Sequence, residues 1–266
     1  MNIAKTVGIL QVGFVAAGYG IPYIKTLASK ASVSAKLLVI TIDGPAASGK
    51  STTARHVAAR LGYLHVDTGA MYRAITLKVL RSGLGHDDEQ AIGRLMSSTH
   101  VELRNENGRS RVLLDGEDVT DVIRTLEVTD AVSAVSKLRV VREAMVREQR
   151  RLGEGGGIVL EGRDIGTVVF PQADLKIFMV ADLDTRANRR QAELADKGVL
   201  KPLEVLKKEI QDRDTTDSTR ENSPLQRAGD AIDLDTSRLT IDQQVDFVVQ
   251  RAREIVQRKQ KNQRRD

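Results

Sequence analysis

The sequence predicts an α/β fold, a parallel sheet with helices on both faces, and three observations carry that prediction. Short continuous apolar runs, "LLVITI" at 37–42, "GIVL" at 157–160 and "LKIFMV" at 175–180, read as strands buried on both faces. Stretches with apolar residues three and four apart alternate with them, the period of amphipathic helices. The first apolar run leads directly into a glycine-rich loop, a lysine and a hydroxyl, "GPAASGKS".

In chain order, Leu37–Ile42 is the first strand and Ser51–Leu61 the first helix, with Ala54, Val57, Ala58 and Leu61 on one face. Leu64–Val66 is a short second strand and Gly69–Arg81 a second helix. From about Val101 the period changes to two. "VELR", "RVLL" and "EDV", separated by turns at "NENG" and "DG", form a small antiparallel meander over 101–119 that reads as an inserted subdomain. Helix returns at Leu138–Leu152 on the stripe Leu138, Val141, Met145 and Leu152. Strands at Gly157–Leu160 and Leu175–Val180 precede an arginine-rich polar helix, Asp184–Lys197. Pro202 suits the first turn of the next helix, whose Leu203, Leu206 and Ile210 face the core. "AIDL" at 231–234 is the last strand, and Ile241–Val256 a closing amphipathic helix. No internal repeat is visible.

The formal net charge of +5 is confined to the ends. Residues 1–42 carry four lysines and no acid, and residues 251–266 carry seven Lys/Arg against two acids. The body between them holds 30 basic and 34 acidic residues, a net of −4, which argues against a nucleic-acid partner. Eight Phe and Tyr and no Trp also give little platform for stacking bases. There is no cysteine, so disulfides and thiolate zinc sites are excluded, and a reducing compartment fits. Residues 1–36 read as an extension, disordered or targeting: Thr6–Ile24 is uncharged but broken by glycines and Pro22, too weakly apolar for a confident membrane span. The basic tail, 257–266, reads as a frayed, solubilising end.

The loop from Gly44 through Pro45, Ala46, Ala47, Ser48 and Gly49 to Lys50 and Ser51 fits G-x-x-x-x-G-K-[ST] between a strand and a helix. Glycines let several backbone N–H groups point into one concavity, and the helix dipole adds to them, so a phosphate finds free donors there. Lys50 reaches the β- and γ-phosphates, and the Ser51 hydroxyl is positioned to ligate Mg²⁺. The loop is thus a nucleoside-triphosphate site. No N-K-x-D base-reading motif is present, which removes a GTPase switch. Glu161, at the end of "GIVLE", stands where a mechanical ATPase carries its acid, and keeps that alternative open. A small-molecule kinase needs cationic groups converging on a second phosphate. Arg73, Arg163 beside Asp164, Arg186 with Arg189 and Arg190 on one helix side, and Arg213, Asp217 and Arg220 on another supply them.

"ITIDGPAASGKSTTARHVAARLGYLHVDTGAMYRA", "LEGRDIGTVVFPQADLKIFMVA" and "RDTTDSTRENSPL", in this order and at these intervals, resemble bacterial-type cytidylate (CMP/dCMP) kinase over residues 37–256. The resemblance implies a P-loop nucleoside-monophosphate-kinase fold: a five-stranded parallel sheet flanked by helices, a monophosphate-binding insertion at about 95–135 and a lid at about 184–197. It implies that ATP, held by residues 44–52 including Thr52, gives its γ-phosphoryl group to CMP or dCMP with Mg²⁺. Thr68, Arg73, Arg163 and Arg220 would hold the acceptor phosphate. Ser133, Arg142 and Asp164 would read cytosine, and Arg213 and Asp217 would contact the sugar. Lys50, Arg163, Arg189 and Arg220 would act on the transferring group, with Arg186 or Arg190 joining Arg189 from the lid. Glu161 stands where an aspartate is usual and receives no role. A cytoplasmic monomer with neither nucleic acid nor stable membrane association is expected, with organellar targeting by residues 1–36 the alternative.

Overall fold

A computed structural model of the chain describes residues 37–106 and 109–263; the predicted N-terminal extension, 1–36, lies outside them, as do 264–266 of the tail. The first half runs β1 (Val39–Asp43), α1 (Lys50–Leu61), β2 (Leu64–Asp67), α2 (Thr68–Ser82), α3 (Glu89–Ser97), β3 (Val101–Glu106), β4 (Arg109–Leu114) and β5 (Glu117–Asp118). It continues with α4 (Leu126–Ser136), α5 (Arg139–Gly153), β6 (Ile158–Gly162), β7 (Leu175–Val180), α6 (Leu183–Ala195), α7 (Leu203–Thr219), β8 (Ile232–Asp235) and α8 (Ile241–Gln263).

Five strands form one parallel sheet in the order β2-β6-β1-β7-β8, so the expected fold is found. The apolar runs are continuous because successive residues enter different cores. Ile158 and Leu160 face a cluster that includes Met71 and Ile75 of α2 and Val141 and Met145 of α5. Val159 between them, with Ile40, Ile42 and Ile177, packs on Val57 and Ala58 of α1 and Val245, Val248 and Val249 of α8. The meander is a separate antiparallel sheet, β3-β4-β5, and its Leu103, Val112 and Leu114 share the core of α2. Helices α6 and α7 pair through a small core of their own, Ala187, Leu194, Leu206 and Ile210.

Four details differ from the sequence reading. Helix α3 was not expected, because Gly93 and three nearby serines and threonines dilute its short stripe of Ala91, Ile92 and Met96. Helix α4 was not expected either; its buried Val128, Val132 and Val135 have helical spacing but β-branched chemistry, and follow a run of strands. Pro202 caps α7, with its carbonyl accepting from the Leu206 N–H at 3.2 Å, instead of entering its first turn. The tail through Gln263 is helical, not frayed: Lys259 pairs with Asp174, whose other oxygen accepts from the Val39 N–H at 2.8 Å.

Leu160 is fully buried on β6, an interior strand of the sheet, so Leu160→Ala is expected to cost about 2–5 kcal/mol in urea unfolding. The half-exposed Lys259–Asp174 pair is worth far less, and Lys259→Ala should cost under about 1 kcal/mol in the same measurement.

Candidate active site

Directly after β1 the chain turns at Gly44, where a Cβ would lie 2.2 Å from the Met179 carbonyl oxygen. Only glycine lets the loop descend onto β7 at that point. The loop continues through two left-handed residues, Ala47 (φ 57°) and Gly49 (φ 94°), and α1 opens at Lys50 with no side chain capping its first amides. Those donors and the helix dipole favour an anion. The Lys50 stem is buried across the loop and its ammonium donates to the Pro45 carbonyl at 2.7 Å. Burial, with the Arg163 guanidinium next in size, pushes this lysine down to about 7.

The parallel register sets Ile42 of β1 beside Glu161 of β6. It thereby brings the Ser51 hydroxyl to donate to Glu161 Oε2 at 2.5 Å. The other Glu161 oxygen lies 3.3 Å from His65 Nε2, and the Glu161 carbonyl accepts from the Thr68 hydroxyl at 2.6 Å. Burial works to raise the Glu161 carboxyl, but His65, Lys50 and Ser51 outweigh it and hold it below the usual carboxylate range.

On the other side of the cleft a chain of alternating charges runs inward. Asp164 pairs with Arg142 and, at 3.4 Å, with Arg220. Arg220 lies 3.8 Å from Asp217, and Asp217 accepts from Arg163 Nε at 2.8 Å. The Arg142 guanidinium stands 5.5 Å from the centre of the Tyr72 ring, a cation–π contact in a dry setting. Arg213 joins this group; burial first and Arg163 second lower it to about 10, and its Nε has no partner among the described residues. Arg73 reaches across to the insertion, donating to the Thr129 hydroxyl at 2.8 Å and the Ile123 carbonyl at 3.3 Å.

Both groups open onto one cleft of about 1600 Å³. That exceeds the roughly 300–1,000 Å³ of a pocket for a single small ligand, and suits two nucleotides. Ala46, Ala47, Gly49, Lys50, Ser51 and Thr52 line it on the loop side, and Thr68, Arg73, Ser133, Arg142, Arg163, Asp164, Arg213, Asp217 and Arg220 on the other. Gly44, Pro45 and Ser48 do not line it; Gly44 and Ser48 are buried beneath the loop's surface.

The arginines of α6 divide. Arg190 lines the cleft and pairs with Glu193 at 2.9 Å. Arg189 also lines the cleft and grips the loop and the end of β8, donating to the Ser48 carbonyl at 3.2 Å and the Thr236 carbonyl at 2.6 Å. Arg186 is buried between the Ala46 carbonyl, at 3.3 Å, and Asp214 of α7, which also accepts from the Ala46 N–H at 3.2 Å. Asp43, His65, Tyr72, Asp214 and Thr236 were not singled out in the sequence. A strand-end acid immediately before the glycine loop was a legible signal for Asp43; the others carry no local one.

The family model described as cytidylate kinase matches residues 40–254. The chain belongs to the cytidylate kinase family. A cytidylate kinase of Geobacillus sp. (strain WCH70) is 51% identical over 211 residues, covering 79% of this chain and 94% of that protein. One of Chloroherpeton thalassium is 50% identical over 230 residues, covering 83% and 95%. One of Geobacillus kaustophilus is 50% identical over 217 residues, covering 82% and 95%. Within this cytidylate kinase family member, the matched span begins one residue into β1 and ends inside α8, so it takes in both walls of the cleft.

With Lys50 near 7, the loop lysine is mostly neutral at pH 8, and a bound polyphosphate restores its positive charge. Binding of ATP at pH 8 is therefore expected to take up as much as about one proton, and its affinity to weaken by up to about tenfold per unit of pH above 7. Calorimetry in two buffers of different ionisation heat measures the uptake, which Lys50→Arg should abolish.

Proposed function

We propose that the chain transfers the γ-phosphoryl group of ATP to CMP or dCMP, giving ADP and CDP or dCDP. The observation that carries this reading is one cleft with an amide-lined loop on one wall and five arginines on the other, three of them alternating with two buried aspartates. The relatives' name supports the choice of cytosine.

The acceptor oxygen belongs to a phosphate that is already anionic at neutral pH, so the reaction needs no general base. Its difficulty is bringing two polyanions into line and neutralising the charge between them. In this reading Lys50 and the loop amides hold the β- and γ-phosphates. Arg73, Arg163 and Arg220 receive the acceptor phosphate beside the Thr68 hydroxyl. Arg142 meets the carbonyl and ring nitrogen of cytosine, and Asp164 accepts from its amino group, which uracil lacks; Ser133 stands on the same wall. Arg213 and Asp217 face the sugar. Arg189 and Arg190 of α6 both stand at the cleft; Arg189 is engaged with the Ser48 and Thr236 carbonyls and would have to release them to reach a phosphoryl group.

Mg²⁺ fits this site. The Ser51 hydroxyl, anchored on the buried Glu161 carboxylate, is an oxygen donor beside a net negative group, as a hard cation requires. Among the described residues no three acids or histidines gather to hold a metal alone, which suits an ion carried in on nucleotide phosphates. Ser51 would hold the ion, and when bound it neutralises phosphate charge and orients the β- and γ-oxygens.

A coupled assay across nucleoside monophosphates should give CMP and dCMP at least a tenfold advantage over UMP and AMP; a tenfold preference for either rival would sink the cytosine reading. Lys50→Ala should lower kcat by on the order of 10³-fold while leaving the urea midpoint nearly unchanged. Asp164→Ala should cost on the order of 10²-fold in kcat/KM for CMP, with KM for ATP changed less than threefold.

A further inference from the structure

The strand-end carboxylate Asp43 takes no part in holding either nucleotide as described above, yet it is buried and makes two hydrogen bonds of an uncommon kind. Its oxygens accept from the backbone N–H groups of Ile165, at 2.9 Å, and Gly166, at 2.7 Å. These amides open a single π-helical turn, Ile165–Val169, that begins immediately after Asp164. The Asp164 carbonyl is fixed from the other direction, by the N–H groups of Val168 at 2.9 Å and Val169 at 3.3 Å. The backbone of Asp164 is therefore clamped on both sides, in an uncommon conformation (φ −139°, ψ 21°). The turn also sits tightly on β1. A Cβ at Gly166 would approach Thr41 Oγ1 at 3.0 Å and Asp43 Oδ2 at 3.2 Å.

Asp43 immediately precedes Gly44, the first residue of the phosphate loop, and so stands between the two halves of the cleft. Burying a charge is costly unless it is paired and hydrogen-bonded. Here an ionised carboxylate provides acceptors to two adjacent donors, while any neutral carboxamide or acid group would set one N–H or O–H against one of them.

We infer that Asp43 is a positioning residue for the acceptor nucleotide: through the amides of Ile165 and Gly166 it holds Asp164, and with it the Arg142 and Arg220 guanidiniums, in the arrangement that receives the base. This rests on the cytosine reading above and adds to it a residue that touches neither substrate. Burial, with Asp164 adding to it and the two amides and Lys50 opposing it, raises the Asp43 carboxyl to about 6. The groups facing it are Asp164, Lys50 from α1, and the Lys176 stem from β7, whose ammonium is held by the Pro171 carbonyl and Asp230.

The test is Asp43→Asn, which keeps the size of the side chain and turns one acceptor into a donor. KM for CMP should rise at least tenfold while KM for ATP changes less than threefold, and kcat should fall less than KM rises. In the wild-type protein kcat/KM for CMP should drop as pH falls through about 6, because the protonated acid has lost one of its acceptors. The phosphate of CMP titrates in the same range, but equally for both proteins, so the readout is the wild-type step that the variant lacks. Gly166→Ala disturbs the same seat from the side of the turn and should reproduce the selective loss of CMP affinity, should Asp43→Asn prove too unstable to assay. Equal losses for CMP and ATP, or a lowered urea midpoint with both KM values and the pH profile unchanged, would overturn the inference. A wild-type chain that phosphorylated another monophosphate instead of CMP would overturn the functional reading and this inference with it, a result visible before any variant is made.

Discussion

The parallel pairing of β1 with β6 brings the phosphate loop and the strand end that carries Glu161, Arg163 and Asp164 to one edge of the sheet. Its register sets Ile42 against Glu161 and Asp43 against Gly162. One strand therefore delivers the glycine loop to the same edge at which the other delivers Glu161, Arg163 and Asp164. Ser51 finds Glu161, and Asp43 finds Ile165 and Gly166, as consequences of that alignment. A slip of one residue would exchange the faces of Ile158, Val159 and Leu160, which now enter two different cores. The apolar packing that forbids the slip is what holds the polar groups in place, since their own hydrogen bonds are each worth only about 1 kcal/mol net.

The second constraint is electrostatic. The cleft gathers like charges that repel one another. Arg142, Arg163 and Arg220 are held by Asp164 and Asp217, and Lys50 by the Pro45 carbonyl. Such buried pairs add little to stability, because desolvation offsets most of the attraction. Their use here is orientation: guanidiniums already fixed by carboxylates need little rearrangement when phosphate oxygens arrive. Burial first, and the neighbouring Arg163 guanidinium second, lower both Lys50 and Arg213.

Elements with strong periodicity were legible from the sequence. Strands β1, β6 and β7 read correctly because residues buried on both faces leave an unbroken apolar run, and α1, α2 and α5 because their stripes are long. Helix α4 was invisible, since valines at helical spacing after a meander carry contradictory signals. Beyond Val256, α8 carries Lys259 to Asp174, a contact between residues 85 positions apart that no local pattern encodes. The arginines of α6 show the same limit. Their spacing put Arg186, Arg189 and Arg190 on one side of a helix, but it took the docking of α7 and β8 to bury Arg186 against the Ala46 carbonyl, hold Arg189 on the Ser48 carbonyl and leave Arg189 and Arg190 lining the cleft.

By itself the sequence determined the phosphate loop, the α/β alternation and the set of arginines that must face a second anion, because glycine spacing, burial period and charge are local properties. Tertiary structure decided which carboxylate each arginine faces, that Ser51 leans on Glu161, and that Asp43 secures the turn carrying Asp164. Arg163–Asp217, Ser51–Glu161 and Asp43–Ile165 join residues 54, 110 and 122 positions apart, and only the register of the sheet and the seating of its helices bring them within hydrogen-bond reach.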